Sequence, residues 1–480
     1  MIGEEVLFSG IREIGAHLRA NRISAVALAE MSLRRLEAIG PKLGALVTVT
    51  RERGLAQAHR ANQELLAGKD RGPLHGIPYG AKDLLATKGI PTTWGAEPLR
   101  GQVFDFDATV VQRLEEAGAV LVAKLAMVEL AGGLGYNNPD ASFTGPGRTP
   151  WNPDYWSGGS SSGSAAAVAA GLVPFAIGSE TSGSILTPAA FCGVTGLRPT
   201  YGLVSRHGAM ALCWTLDKLG PLARSADDCA LVLSAIAGPD PQDPATGESF
   251  RYRERPARRG RPGQRFRVGV LRNATVGAAP EVEAHFAQAL SALHDVADVE
   301  ADVPFPDLPY REAVGAIVDA EGASAFRDLI ESGKVKELRD KADRVGGYAM
   351  MMTRAADYVD AMRSRVAMRA ELDLLLSRYD ALVTPTRSRL APPIGRDFDA
   401  PAPGAPPAPE PAPDAPRPPA TVPAGNLAGL PAIAVPMGFG KDRLPTSLQL
   451  LGRAFSEETL VALADAYQEM TDWHRQRPPA

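Results

Sequence analysis

Hydrophobic positions change period several times along this chain, and each change marks an element. In "ISAVALAEMSLRRLEAIG" the apolar residues Ile23, Val26, Leu28, Leu33 and Leu36 recur near helical spacing, and Gly40-Pro41 ends the run. Residues 4–70 read as helices. "HGIPYGAKDLL" then breaks the pattern with Gly and Pro around a short extended piece. "ATVVQRLEEAGAVLVAKLAM" predicts a helix, a turn at Gly118 and an apolar strand, which is one αβ step. "GSAAAVAAGLVPFAIGSE" repeats that step. "RVGVLRN", "DALVTPT", "AIAVPMGF" and "TSLQLLG" predict further strands. Helices mixed with apolar strands over the whole length predict the α/β class and one large α/β/α unit, without an internal repeat.

Two stretches interrupt the pattern. Phe250–Arg267, "FRYRERPARRGRPGQRFR", reads as a solvated arginine-rich loop in preference to a nucleic-acid patch. Asp399–Pro423 is a Pro/Ala tract expected to be extended and exposed. Composition adds mainly exclusions. A net charge of −4 over 480 residues provides no broad basic field for nucleic acid. The start, "MIGEEVLFSG", lacks a basic n-region, so no secretory signal is expected. The apolar run Ala165–Ile177 is too short for a bilayer and contains Gly171 and Pro174, so no membrane association is expected. Cys192, Cys213 and Cys229 have no C-x-x-C spacing, which suits a reducing, cytoplasmic location. No H-E-x-x-H or Walker A run occurs, so neither a metal nor a cofactor is expected.

The chemistry lies in three stretches. "GGSSSGS" (Gly158–Ser164) fits G-x-S-x-G and would make Ser161 a nucleophile. That reading needs a preceding strand and a later histidine. The preceding "RTPWNPDYWSGG" is a poor strand, and His207, His285, His294 and His474 include no convincing base. "GSETSGS" (Gly178–Ser184) closes an apolar strand. A loop there can aim several backbone N–H groups at one point, as in an oxyanion hole, or be an ordinary βα turn. Lys82, in "GIPYGAKDLL", is either a base in a dry pocket or a surface lysine paired with Asp83.

In order and together, "GIPYGAKD", "GGSSSGSA", "GSETSGSILTPAAFCG" and "GLRPTYGLVS" resemble the amidase signature family. "LDKLGPLARSADDCALVL", "YDALVTPT" and "NLAGLPAIAVPMGF" extend the resemblance over nearly the whole chain, except about Gly238–Leu372 and the Pro/Ala tract. It implies a mixed twisted sheet covered by helices on both faces, formed by one domain over residues 1–480. Within it, N-terminal helices occupy about 4–70 and a catalytic core about 71–237. A mostly helical substrate-side region follows at about 238–378, then C-terminal core strands and a helix at about 379–480. The resemblance implies Ser184 as nucleophile, Ser160 as proton relay on a cis peptide after Gly159, and Lys82 as base. Ser160 and Ser184 stand 24 residues apart, as in the family. Ser161 would support Lys82, and the backbone N–H groups of Thr181, Ser182, Gly183 and Ser184 would hold the oxyanion.

The chain also departs from the family. Ser162 and Ser182 replace glycines. Leu186 replaces an arginine and Glu180 an aspartate, so an ion pair beneath the site is expected to be missing. Met127 and Trp214 are candidate pocket residues, with core filling the other reading for Trp214. The cluster Met350-Met351-Met352 is read as core packing. These changes predict an apolar or aromatic substrate. The leading expectation is a stand-alone hydrolase of amides, anilides or carbamates, with esterase side activity, acting on a small molecule as monomer or homodimer without nucleic acid or membrane. The alternative is a glutaminase-type subunit of a tRNA-dependent amidotransferase. It is set second because the R-R-I-x-L-G run of such subunits reads "ADRVGGYAMMM" here. A non-catalytic binding relative is third.

Overall fold

The first αβ step forms where the periodicity places it: a helix Thr109–Glu116, Gly118 at φ +80°, then an apolar strand. In the computed structural model, which describes residues 3–252, 265–398, 400 and 415–479, eleven strands join one sheet. Most of the arginine-rich stretch and of the Pro/Ala tract lie outside the described residues. The strands are β1 (Leu46–Val49), β2 (Pro78–Lys82), β3 (Val120–Leu125), β4 (Phe175–Glu180), β5 (Thr195–Arg198), β6 (Lys218–Ala223), β7 (Phe266–Leu271), β8 (Ala297–Val303), β9 (Ala381–Pro385), β10 (Ala432–Phe439) and β11 (Pro445–Leu451). Their order across the sheet is β1-β3-β2-β4-β6-β5-β10-β11-β9-β7-β8.

The sheet is mixed. β3, β2 and β4 run parallel, as do β9, β7 and β8, and antiparallel pairs fill the middle. β2, β3, β4 and β9 are buried along their whole length, as expected of strands covered on both faces. The helix Ala25–Ile39 starts at Ser24, whose side chain accepts a hydrogen bond from Ala27 N, and it buries Leu28, Leu33 and Leu36. Residues 4–70 are not helical throughout: the "LVTV" of β1 pairs antiparallel with β3. β8 has no legible signal, because "ADVEADV" lies at the sheet edge with most of its residues open to solvent. Of the Met cluster, Met350 is buried, but Met351 and Met352 are exposed beyond the end of the helix Asp343–Met350, so core packing holds for the first only.

This topology brings the serine loops and the lysine to one edge. β2 and β4 are parallel neighbours, with Ala81 opposite Ile177, so their C-terminal ends emerge side by side. The helix Ser162–Ala169 precedes β4 and contacts both β4 and β2, which sets its first turn beside those same strand ends.

Candidate active site

Strand alternation separates Lys82 from Asp83. Asp83 accepts from Thr93 N at 2.9 Å and lies 3.2 Å from Lys124 Nζ. Lys82 is therefore not paired with it. Its fully buried Nζ sits 2.7 Å from Ser160 Oγ, 2.9 Å from Ser161 Oγ and 2.9 Å from Ser179 Oγ. Burial holds the Lys82 ammonium well below the ordinary lysine range, against the attraction of Asp217 and Glu180. Ser161 Oγ also accepts from Ser179 N and donates to Ser179 O, each at 3.2 Å, so its proton is committed. The Gly159–Ser160 peptide is cis.

Thr181–Ser184 form the turn between β4 and the helix Leu186–Cys192. Gly183 has φ +92°, a backbone that suits glycine, while Ser182 needs no positive φ and tolerates a side chain. Ser161 N donates to Ser184 O at 3.2 Å, joining the two serine loops. Among the described residues, no acceptor is found for the backbone N–H groups of Thr181, Ser182, Gly183 or Ser184. Asp217 clamps the turn from outside, accepting from Thr181 Oγ1 at 2.6 Å and from Leu212 N and Cys213 N.

The expected loss of an ion pair beneath the site does not occur. Glu180 pairs with Arg198 of β5 at 3.0 Å, both fully buried. Its carboxylate also accepts from Asn426 Nδ2 and from the N–H groups of Ile185 and Leu186, at the start of the helix after Ser184. Burial would raise Glu180, but Arg198 and Asn426 keep it below the usual carboxylate value. The cation comes from the next strand instead of from position 186, where Leu186 packs in the core. Ser162 is also accommodated: its Cβ faces Gly147, where an added methyl would sit 2.7 Å away.

Ser184 opens into a cleft of about 480 Å³ with Thr181, Ser182 and Thr187 on one side and Tyr136, Trp156, Phe191 and Phe398 on another. Trp214 is 46% exposed and lines a second cavity of about 350 Å³ that reaches Ser179 and shares Ala131, Thr181 and Leu212 with the cleft. Met127 is fully buried and lines none of these cavities. Sequence reasoning missed Ser179, although it lies inside the quoted "GSETSGS", and also Asp217, Arg198 and Arg387, which is a further wall of the cleft. Among the described residues no cluster of His, Cys, Asp and Glu could hold a metal ion, and no helix is long and apolar enough to cross a membrane.

The Amidase family profile matches residues 27–461. The chain is 38% identical to a glutamyl-tRNA(Gln) amidotransferase subunit of Roseiflexus sp. (strain RS-1), covering 96% of each protein. It superposes on the native peptide amidase from Stenotrophomonas maltophilia with a TM-score of 0.85 at 31% identity, covering 100% of this chain and 99% of that one. For the corresponding glutamyl-tRNA(Gln) amidotransferase subunit from Thermotoga maritima the TM-score is 0.76 at 29% identity, covering 98% and 96%. The end-to-end likeness to proteins named as amidotransferase subunits overturns the expected stand-alone hydrolase of apolar amides, anilides or carbamates. It equally overturns the expected monomer or homodimer acting on a small molecule without nucleic acid. The departures that suggested otherwise, at Ser162, Ser182 and Leu186, are absorbed locally and say little about substrate. From the profile, the relatives and the shared fold, the chain belongs to the amidase signature family of serine amidohydrolases.

Proposed function

We propose that this chain is the amide-hydrolysing subunit of an amidotransferase of the glutamyl-tRNA(Gln) type, releasing ammonia from a primary amide. The full-length likeness to subunits of that name carries the reading. We take residues 1–480 as one catalytic unit, working with protein partners and a charged tRNA in the cytoplasm.

The geometry supports a serine–serine–lysine relay. A neutral lysine amine donates two hydrogen bonds and accepts one. Three hydroxyls surround Lys82, and the Ser161 proton is committed to Ser179 O, so Ser160 or Ser179 donates to Nζ. Ser160, on the loop tied to Ser184, is the relay in this reading. Lys82 takes the Ser160 proton, Ser160 takes that of Ser184, and Ser184 Oγ bonds to the amide carbon. The carbonyl oxygen becomes an oxyanion held by the N–H groups of Thr181–Ser184, each such donor contributing about 3–4 kcal/mol. Collapse breaks the C–N bond. The leaving nitrogen takes the proton back through Ser160, and water then releases the acyl group from Ser184. Ester and carbamate carbonyls present the same electrophile, so weak side reactions on them belong to this reading.

The test is a glutaminase assay on the chain alone and co-expressed with candidate partner subunits, with size-exclusion chromatography of each. Glutaminase activity that rises in a hetero-oligomer and disappears in Ser184→Ala supports the reading. A chain that stays alone and cleaves glutamine no faster than anilides overturns it.

A further inference from the structure

Arg387 stands two residues beyond the end of β9 and forms part of the wall of the cleft that holds Ser184. The same residue lines an adjoining cavity of about 510 Å³, and the two share Ser182, Val318 and Ser388 as walls. Arg389 lines the first and Arg311, at the start of the helix Tyr310–Ala325, the second. Three arginines thus line two cavities that share walls, and among the described residues no Asp or Glu lines either cavity. Arg387 has no hydrogen-bond or ion-pair partner among them either. The residue before it is anchored: Thr386 N donates to Ser447 O at 2.7 Å, and the Thr386 and Ser447 hydroxyls lie 2.9 Å apart.

Elsewhere in this protein buried or half-buried guanidiniums find acceptors: carboxylates for Arg198, Arg53 and Arg206, backbone carbonyls for Arg224 and Arg365. Arg387 is the contrast. It is exposed on the cleft wall, so a ligand can reach it, yet protein crowds around it. Partial burial by that protein, with the nearby Arg311, holds it below the usual guanidinium value, and Tyr136 opposes the shift. Such a charge has given up part of its water without gaining an anion, and a planar fork with free donors is matched by a carboxylate.

We propose that Arg387 is a specificity-determining residue that receives a carboxylate of the substrate while Ser184 attacks its amide. The preferred substrates are then primary amides with a carboxylate a few bonds from the scissile carbonyl, and Arg311 and Arg389 add to the attraction. The inference rests on the reading of Ser184 as nucleophile, but it does not require glutamine itself or any partner protein.

The experiment compares glutaramate, an anionic primary amide, with pentanamide, its uncharged counterpart of equal chain length. The readout is the ratio of kcat/KM for the two. The full chain is used, with its partners if they co-purify, in the wild-type, Arg387→Met and Arg387→Lys forms. The wild type is expected to favour glutaramate. In Arg387→Met the ratio should fall about 10- to 100-fold, mainly through KM, as for loss of a charge-assisted hydrogen bond. Arg387→Lys, which keeps the charge and loses the fork, should fall less. A wild type that prefers pentanamide, or a ratio unchanged in both variants, overturns the proposal. Should Arg387→Met fail to fold, competitive inhibition of the wild type by glutarate but not by pentanamide supports it, and equal inhibition overturns it. If glutaramate is favoured but glutamine is not cleaved and no partner binds, the amidotransferase reading fails while this inference stands.

Discussion

Lys82 ion-pairs with no carboxylate among the described residues; its neighbours are three hydroxyls. Because burial lowers its pKa, the neutral base persists at pH values where an ordinary lysine, near 10.5, is charged. Protonation on the acid side removes the base. The profile of kcat/KM against pH should therefore fall as pH drops, with its acid limb well below 10.5. Lys82→Met should lower kcat/KM by about 10²–10⁴-fold and abolish that limb. A limb that survives in the variant rules out Lys82 as its source. Glu180 and Arg198 make a second residue-scale prediction. Arg198→Met leaves a buried carboxylate without its cation, which costs about 3–5 kcal/mol. Chemical denaturation should show that loss, and a change under 1 kcal/mol, about the size of an exposed pair, would refute it.

At the scale of elements, the turn after β4 depends on one backbone conformation. Gly183 sits at φ +92°, and an added Cβ would meet Thr187 Oγ1 and Val422 Cγ1 at 3.2 Å. Gly183→Ala should cost about 1–2 kcal/mol, and its activity should fall further than its stability, because the N–H groups of the turn are displaced. Full activity in this variant would contradict the oxyanion assignment. The helix Asp343–Met350 is tied to the chain after β3 by acidic groups: Glu129 accepts from Arg339 N and Asp340 N, and Asp343 packs against it. Burial, then the Glu129 charge, hold the Asp343 carboxyl far above its usual 3.8. The folded state thus keeps a proton that the unfolded chain loses near that pH, so this contribution declines as pH rises from there. Asp343→Asn retains a donor toward Glu129 and removes the titration. Its urea midpoint should change less between about pH 5 and about pH 8 than that of the wild type. Equal changes would exclude Asp343 as the titrating group.

For the whole molecule, one sheet carries the site from both halves of the chain. The serine loops and Lys82 come from β2, β4 and the helix between them, while Asn426, which braces Glu180, lies 246 residues further on. The cleft that holds Ser184 is also lined by Leu390, Pro392 and Phe398, after β9. Specificity is therefore a property of the assembled chain. Swapping residues 386–392 for those of a neutral-amide relative should shift the glutaramate-to-pentanamide ratio while leaving dependence on Ser184 intact, measured by comparing each form with its Ser184→Ala counterpart.

Much was legible along the chain. The αβ steps at 109–125 and 162–180 follow from local periodicity and glycine breaks, which any folded context has to respect. The ordered serine, glycine and lysine motifs carried the family resemblance and the candidate set Lys82, Ser160 and Ser184. Other features were decided only in three dimensions. Asp83 faces Lys124 and not Lys82, because a strand sends neighbouring side chains to opposite faces. Glu180 finds its cation on β5, which lies beyond β6 in the sheet, since a buried charge pairs with whatever side chain the fold brings within reach. The edge strand β8 forms without an apolar pattern because β7 supplies its ladder. Arg387 is set apart because it lines both cavities and is crowded by protein without an acceptor, a matter of which groups the fold packs around it. Local pattern determined most of the elements, the edge strands excepted; long-range pairing and burial determined which charges meet and which are left for a ligand.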